Sequence, residues 1–430
     1  ETIRKIPGAN AGVENLLLTL PGVSNNNELS TQYSVRGGNY DENLVYVNGI
    51  EVYRPFLVRS GQQEGLSFVN TDLVQNVDFY AGGFQAKYGD KLSSVLDVNY
   101  RRPEKFKGSF MASLLGVEGH VEGEYNNSRG YYLIGGRFRS NGYLLNALPT
   151  QGEYNPVFWD VQALTGININ EKFRISFLGH FASNNYRFIP ETKETSFGTV
   201  NQALSLKIYF DGQEQNVTQS MFGGIKLDYD ISKNYKMQWY TSVFNTDERE
   251  FFDVQGQYFI NELENDPGQE NFGDSVNTLG IGSFLEHGRN QLKATIINTY
   301  IRGQYTTPEE KKTKNGFKFQ FNWGAKYQKE YFDDVLSEWN LIDSSGFSIP
   351  QAPGDQIVLA ETIKSKNIRE MNRVSGFAES IFNWSFNKES LPVRFKQKSV
   401  TKIPRADSSG RFDKIRKKWY IYDTVQNSKA

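Results

Sequence analysis

From Phe106 onward the chain alternates between apolar and polar residues with a period of two. The clearest stretch is 317–327, where Phe317, Phe319, Phe321, Trp323, Ala325 and Tyr327 alternate with polar residues or glycine. Phe173, Ile175, Phe177 and Phe181 alternate with Lys172, Arg174, Ser176 and His180. Tyr235, Met237, Trp239 and Val243 alternate with Lys236, Gln238 and Ser242, and Leu292, Ala294 and Ile296 with Gln291, Lys293 and Thr295. Val117, Gly119, Val121 and Tyr125 alternate with Glu118, His120, Glu122 and Glu124. Such a period predicts β-strands whose two faces meet different surroundings. Segments of about ten residues suit tilted strands crossing a bilayer. Short turns at Asn126-Asn127-Ser128 and Ser232-Lys233-Asn234 alternate with long polar excursions at 189–217 and 247–277, as in an outer-membrane barrel. A soluble β-sandwich also alternates, but its strands average nearer six residues.

The first hundred residues have another texture. A helix is expected over 10–20, with Asn10 as N-cap and Val13, Leu16, Leu17 and Leu20 on its buried face, stopped by Pro21-Gly22. Short strands follow at 33–36, 44–47, 51–53, 74–80 and 95–100, and Asn48-Gly49 joins the second and third as a hairpin. This predicts a small α+β domain at 1–104 and strands of a barrel over 105–430.

Composition agrees with a barrel. Apolar residues are only 38% of the chain, while aromatics reach 14%, with 31 Phe and 24 Tyr. No run of about 18 apolar residues exists, so a membrane crossing must be made by a closed barrel. Cysteine is absent, which removes disulfides and thiolate chemistry, and a net charge of −1 argues against nucleic acid as a partner. Glu1-Thr2-Ile3-Arg4-Lys5 is not a signal peptide, so the sequence is expected to be mature or trimmed.

Four motifs occur in one order: Leu17-Leu18-Thr19-Leu20-Pro21-Gly22-Val23, then Tyr33-Ser34-Val35-Arg36-Gly37-Gly38, then Asp41-Glu42-Asn43-Leu44-Val45-Tyr46-Val47-Asn48-Gly49-Ile50. Tyr88-Gly89-Asp90 with Ser93-Ser94-Val95-Leu96-Asp97-Val98 completes the set. Together they resemble the plug domain of TonB-dependent receptors, in the form common in the Bacteroidetes. The resemblance implies a membrane all-β fold: a large antiparallel transmembrane β-barrel of 22 strands with the N-terminal plug in its lumen. Only about 12 to 14 strands fit at roughly ten residues each, so the barrel is expected to be incomplete here, cut at Ala430 or missing internal segments. The stretch 388–430 is Lys/Arg-rich and poorly alternating. The residues ahead of the plug motifs show no TonB box, so energy coupling is what the resemblance implies and not what these residues demonstrate.

The resemblance assigns Arg36 to a plug–barrel contact with lumen-facing Glu118, Glu122 or Glu124; a solvated surface arginine is the bland alternative. Pro21, Gly22, Gly37, Gly38, Asn48, Gly49, Tyr88 and Gly89 are the plug's structural motif residues. Tyr53, Phe56, Tyr80 and Phe84, on extracellular plug loops, are candidate substrate contacts or core packing. Asp41, Glu42 and Asp90 fit no EF-hand spacing and read as turn residues. His120, His180 and His287 are isolated and form no HExxH pattern. The Gly-rich spots 81–84 and 221–224 lack a phosphate-loop lysine, and Asn216-Val217-Thr218 is a glycosylation triplet by pattern only. Asp247-Glu248 and Glu309-Glu310 read as solvated loop charges. No catalytic constellation or cofactor site emerges, and no enzyme is expected. The implied function is plug-gated import of a large or scarce solute, whether glycan, peptide or metal chelate. The partners implied are the lipid bilayer and lipopolysaccharide, a TonB-type energy-coupling protein and a surface lipoprotein lid. The alternative is a non-transporting plugged-barrel subunit of an outer-membrane assembly or secretion complex.

Overall fold

The computed structural model describes residues 12–25, 31–55, 66–89, 91–146, 152–199, 202–307, 316–344 and 359–385. The chain divides into two compact units, one of residues 1–304 with 322–379 and one of 305–321 with 380–430. No helix among the described residues is long and apolar enough to cross a membrane.

The N-terminal part opens with α1 (Val13–Leu18), which buries Val13, Glu14 and Leu17. It is shorter than the expected helix. Gly12 is its N-cap and Asn10 lies outside the described residues; Leu16 is only partly buried and Leu20 is exposed. Six residues provide under two turns, so only one side of the helix can dock. β1 (Val23–Ser24) pairs with β2 (Ser34–Val35). A four-stranded sheet holds β3 (Asn43–Val47), β4 (Ile50–Glu51), β5 (Val74–Tyr80) and β6 (Ser94–Tyr100) in the order β4-β3-β6-β5. Every residue of β3 is buried. The β3–β4 turn has Asn48 at φ 52° and Gly49 at φ 79°, the two positive angles that match the twist of a two-residue hairpin.

Eleven strands follow in one sheet: β7 (Lys107–Ser113), β8 (Gly116–Tyr125), β9 (Gly130–Arg139), β10 (Gly152–Asn168), β11 (Phe173–Pro190), β12 (Lys193–Thr199), β13 (Gln202–Ser232), β14 (Tyr235–Leu263), β15 (Ser275–Thr306), β16 (Gly316–Ser344) and β17 (Glu361–Ser385). Their order is β17-β16-β15-β14-β13-β11-β10-β9-β8-β7, with β12 also paired to β13. A short helix, α2 (Gly142–Asn146), lies between β9 and β10. The described residues thus hold eleven strands where 12 to 14 were expected, and 388–430 lies outside them.

The pairing register sorts the two faces. Val161, Phe181 and Met221 are cross-strand partners in one row, and all three are exposed. With Trp159, Phe177, Ile225, Trp239, Val243 and Ile297 they form an apolar outward belt. One residue over, Gln162, His180, Phe222 and Phe244 form the neighbouring row and are all buried. At the lower rim of the belt, the Phe173 and Tyr229 rings meet edge to face at 6.2 Å. An exposed apolar belt with an aromatic rim is what a sheet facing hydrocarbon requires.

Two expectations are corrected. The excursions at 189–217 and 247–277 are largely strand, and β13, β14 and β15 run for 31, 29 and 32 residues. Their alternation continues but changes phase. Outward-facing Met221, Ile225 and Tyr229 carry the apolar side chains within the belt, whereas Leu206, Ile208 and Phe210 carry them on the other face beyond it. Outside hydrocarbon the outer face meets water, so the polar set moves there and a loop-like composition results. The second correction concerns β15: Ala294 and Ile296 are fully buried against the N-terminal part, while Lys293 is exposed. The inner face here is dry because another domain packs on it.

In the second unit, the Thr307 backbone N–H donates to the Phe319 carbonyl at 2.9 Å. The Phe319 ring lies 6.5 Å from that of Phe321 and 5.1 Å from that of Phe382, and both residues stay partly exposed.

Candidate functional site

The inner face of the sheet and the N-terminal domain share one apolar core. Val13, Leu17, Val35, Val47, Ile50, Leu73 and Val98 pack with Leu133, Leu164, Leu178, Phe222 and Ile296. At about 25 cal/mol per Å² of buried apolar surface, contact of this extent holds the domain against the wall.

Polar groups fix its register. Segment 67–70 runs across β9, β10 and β11, and wall side chains bond its backbone carbonyls. Arg137 Nη1 donates to Val69 O at 2.9 Å and Nη2 to Ser67 O at 2.7 Å, while Nε donates to Asp160 Oδ1 at 2.9 Å. Gln162 Nε2 donates to Phe68 O at 2.5 Å and to Asp160 Oδ2 at 3.0 Å; Tyr100 Oη donates to Gln162 Oε1 at 2.6 Å. Arg137, Asp160, Gln162 and Tyr100 are all buried. The Phe68 ring sits 4.4 Å from that of His180 and 5.5 Å from that of Phe222, and Tyr53 lies 5.7 Å from Phe244. One row of the wall therefore grips the domain at both Phe68 and Tyr53. Tyr100→Phe should cost about 1–3 kcal/mol, because Gln162 Oε1 loses its donor inside a dry interface; thermal unfolding of the purified protein would show it, and an unchanged midpoint would count against the clamp.

Further contacts ring the domain. Arg101 Nε and Nη2 donate to Glu122 Oε2 at 2.9 and 2.7 Å. Arg101 Nη2 also lies 3.0 Å from His120 Nε2, and Ser109 Oγ lies 2.7 Å from His120 Nδ1 and 3.3 Å from Asp72 Oδ2. Ser109 donating to Asp72 leaves its oxygen free to accept from the His120 ring. Arg54 pairs with Glu248 at 2.5 Å, Lys326 bonds Glu51, and the Tyr300 hydroxyl donates to Gly49 O. Glu14, on the buried side of α1, has its pKa raised above the ordinary glutamate value by burial.

The sequence-expected residues fall as follows. Arg36 is exposed at φ 52°, its backbone N–H donating to Gly22 O at 2.7 Å. The structure does not bring it to the glutamates. The Glu122 carboxylate is taken by Arg101, Glu124 accepts from Ser128, and Glu118 feels Arg139. Turn geometry, rather than an ion pair, accounts for the position of Arg36. A side chain at Gly38 would strike Ser93 Oγ, and one at Gly49 would press on the Tyr240 hydroxyl at 3.0 Å. Pro21-Gly22 ends the α1 segment, with Gly22 at φ 81°, and Gly37 has φ 83° in the β2 turn. Asn48 Oδ1 accepts from the Tyr100 backbone N–H at 2.7 Å. Tyr88 donates to Asp97 at 2.5 Å and Gly89 follows it. Tyr80 and Phe84 pack on the Leu44–Tyr46–Tyr88–Val95 cluster and Tyr53 is half-buried; Phe56, Asp90, Glu309 and Glu310 lie outside the described residues. His180 is buried beside Asp160, and His287 pairs with Asp253 and stacks on Trp339.

Arg137, Asp160, Gln162 and Arg101 were not expected from the sequence. The available signal was Asp160 and Gln162 on the inward register of a strand whose other face carries Val157, Trp159 and Val161.

Residues 1–94 match the family model of the TonB-dependent receptor plug domain. No curated protein sequence matches the chain. Among solved structures, it is similar to the siderophore receptor PirA from Pseudomonas aeruginosa, at 12% identity and a TM-score of 0.32 over 89% of this chain and 85% of that one. It is also similar to the outer membrane transporter YddB from Escherichia coli, at 8% identity and 0.35 over 79% and 76%. The pyoverdine receptor FpvA from Pseudomonas aeruginosa PAO1 gives 10% identity and 0.33 over 87% and 75%. Likeness at these scores adds nothing about substrate; the family is carried by the plug motifs and the domain they build. Residues 1–94 thus form a TonB-dependent receptor plug domain, and this plug packs on the inner face of a large antiparallel β-sheet.

Proposed function

We propose that this receptor imports a solute too large or too scarce for open pores, a glycan, peptide or metal chelate, with the plug as its gate. The plug spans residues 1–104 and the barrel strands 105–430. The observation that supports gating is the grip on segment 67–70: wall side chains hold backbone carbonyls, and such bonds close the lumen yet can break and re-form without consuming the plug's own side chains. Energy reaches the plug through a TonB-type protein, and a surface lipoprotein covers the extracellular strand ends. Tyr53, Phe56, Tyr80 and Phe84 of the plug are the candidate solute contacts. Arg36 serves the same domain as a turn residue.

A strain lacking the receptor should lose growth on at least one sole nutrient from a panel of glycans, peptides and metal chelates, and regain it on complementation. Unchanged growth on the whole panel, with loss of a co-purifying outer-membrane complex, would sink the import reading in favour of a plugged scaffold.

A further inference from the structure

Between the plug and strands β15–β17 lies a cavity of about 70 Å³. Tyr46 and Lys87 line it from the plug; Tyr300, Arg302 and Lys326 line it from the wall. Lys326 is already paired with Glu51. Among the described residues, the other two cations have no ion-pair partner within bonding distance. Arg302 rests on the rings of Tyr300, Tyr240 and Tyr46, at 5.0, 5.4 and 5.6 Å from their centroids. Lys87 lies over the Tyr88 ring at 4.5 Å. Among the described residues, neither has a hydrogen bond or an ion pair. Asp97, the carboxylate electrostatically coupled to both, takes its hydrogen bond from Tyr88 at 2.5 Å. Glu379, also coupled to Lys87, accepts from Asn322 at 2.7 Å.

Ring faces stabilise a guanidinium from above and below but leave its N–H edge unsatisfied. A cation removed from water needs an opposite charge or hydrogen-bond acceptors. Burial already pushes the Lys87 ammonium below its ordinary value, with Arg302 adding to the effect. The cavity exceeds the 10–15 Å³ or so needed by a single water, so it has room for a larger polar group.

We propose that this cavity binds a small oxyanion, a phosphate or carboxylate group, between Lys87 of the plug and Arg302 of the wall. The anion ties the two domains beside the Lys326–Glu51 pair, where Lys87 and Arg302 have no ion-pair partner among the described residues. The site stands whatever solute the receptor imports.

The test uses the purified full-length receptor in maltoside detergent at constant ionic strength. Inorganic phosphate is titrated and followed by its ³¹P line width, and ¹³C-acetate is titrated in parallel by carbon line width. Saturable broadening by either probe is expected. Lys87→Met should weaken binding on the order of tenfold or more, as loss of one charge-assisted contact implies. Arg302→Lys, which keeps the charge but loses the fork, should weaken it less. Lys293→Met, on the outward face, should leave it unchanged. Response to acetate alone assigns the site to carboxylates, and response to phosphate assigns it to phosphate. No saturable response to either probe overturns the proposal, as does binding by Lys87→Met and Arg302→Lys as tight as by the unsubstituted receptor.

Discussion

Replacing Arg137 with alanine is expected to destabilise the receptor by about 3–5 kcal/mol, the usual cost of removing one partner from a buried ion pair. Asp160 would remain buried without its counter-charge, and the carbonyls of Ser67 and Val69 would lose their donors. The effect should exceed a simple stability loss, because Arg137 is the wall's grip on the plug. Thermal unfolding should shift down, and the receptor in planar bilayers should show openings that the wild type lacks. Arg137→Met combined with Asp160→Leu removes both charges and should recover much of the stability, since the desolvation cost leaves with the pair. It should not restore closure, because the carbonyl bonds are still missing. If Arg137→Ala behaves like Arg36→Ala, whose side chain is exposed, the clamp has no role in holding the plug.

Val243→Arg is expected to cost about 2–4 kcal/mol in assembly, the penalty for an arginine on the lipid face near mid-membrane. Val243 is 40% exposed on the outward face, between Thr241 and Asn245 on the same face of β14, and its cross-strand partner is Gly223, the next outward position after Met221 on β13. The measurement is folding into lipid vesicles against denaturant, read by tryptophan fluorescence. Asn261→Arg, further along β14 where outward positions are polar, should be close to neutral. Equal and small effects at both positions would mean that the sheet does not meet hydrocarbon, and the outer-membrane placement would fall with it.

The two-residue rhythm was readable because lipid imposes it. A strand facing hydrocarbon must place an apolar side chain at every second position, and 173–181 and 235–243 show this directly in sequence. The hairpin at Asn48-Gly49 was readable for a local reason: two positive φ angles in succession favour those residue types. Beyond the belt the rule weakens. At 202–216 and 248–260 both faces are partly wet, the apolar set changes sides, and composition alone resembles a loop. Ala294 and Ile296 misled for the opposite cause, since their apolar character serves the plug.

The partners of charged residues were not readable at all. Arg36 lies in a family-like motif, yet its turn leaves it in solvent, while Glu122 pairs with Arg101, twenty-one residues away in the chain. Arg137 and Asp160 face each other across the β9–β10 register and meet carbonyls of residues 67–69, which no local pattern marks.

By itself the sequence determined the strand period, the tight turns and the order of the plug motifs, because each follows from interactions within a few residues or with the solvent. Only the tertiary structure decided which inward side chains grip the plug and which cations stand without an ion-pair partner among the described residues at the seam. Those outcomes depend on strand register and on a second domain's backbone, and a register shift of one residue would exchange every contact at once.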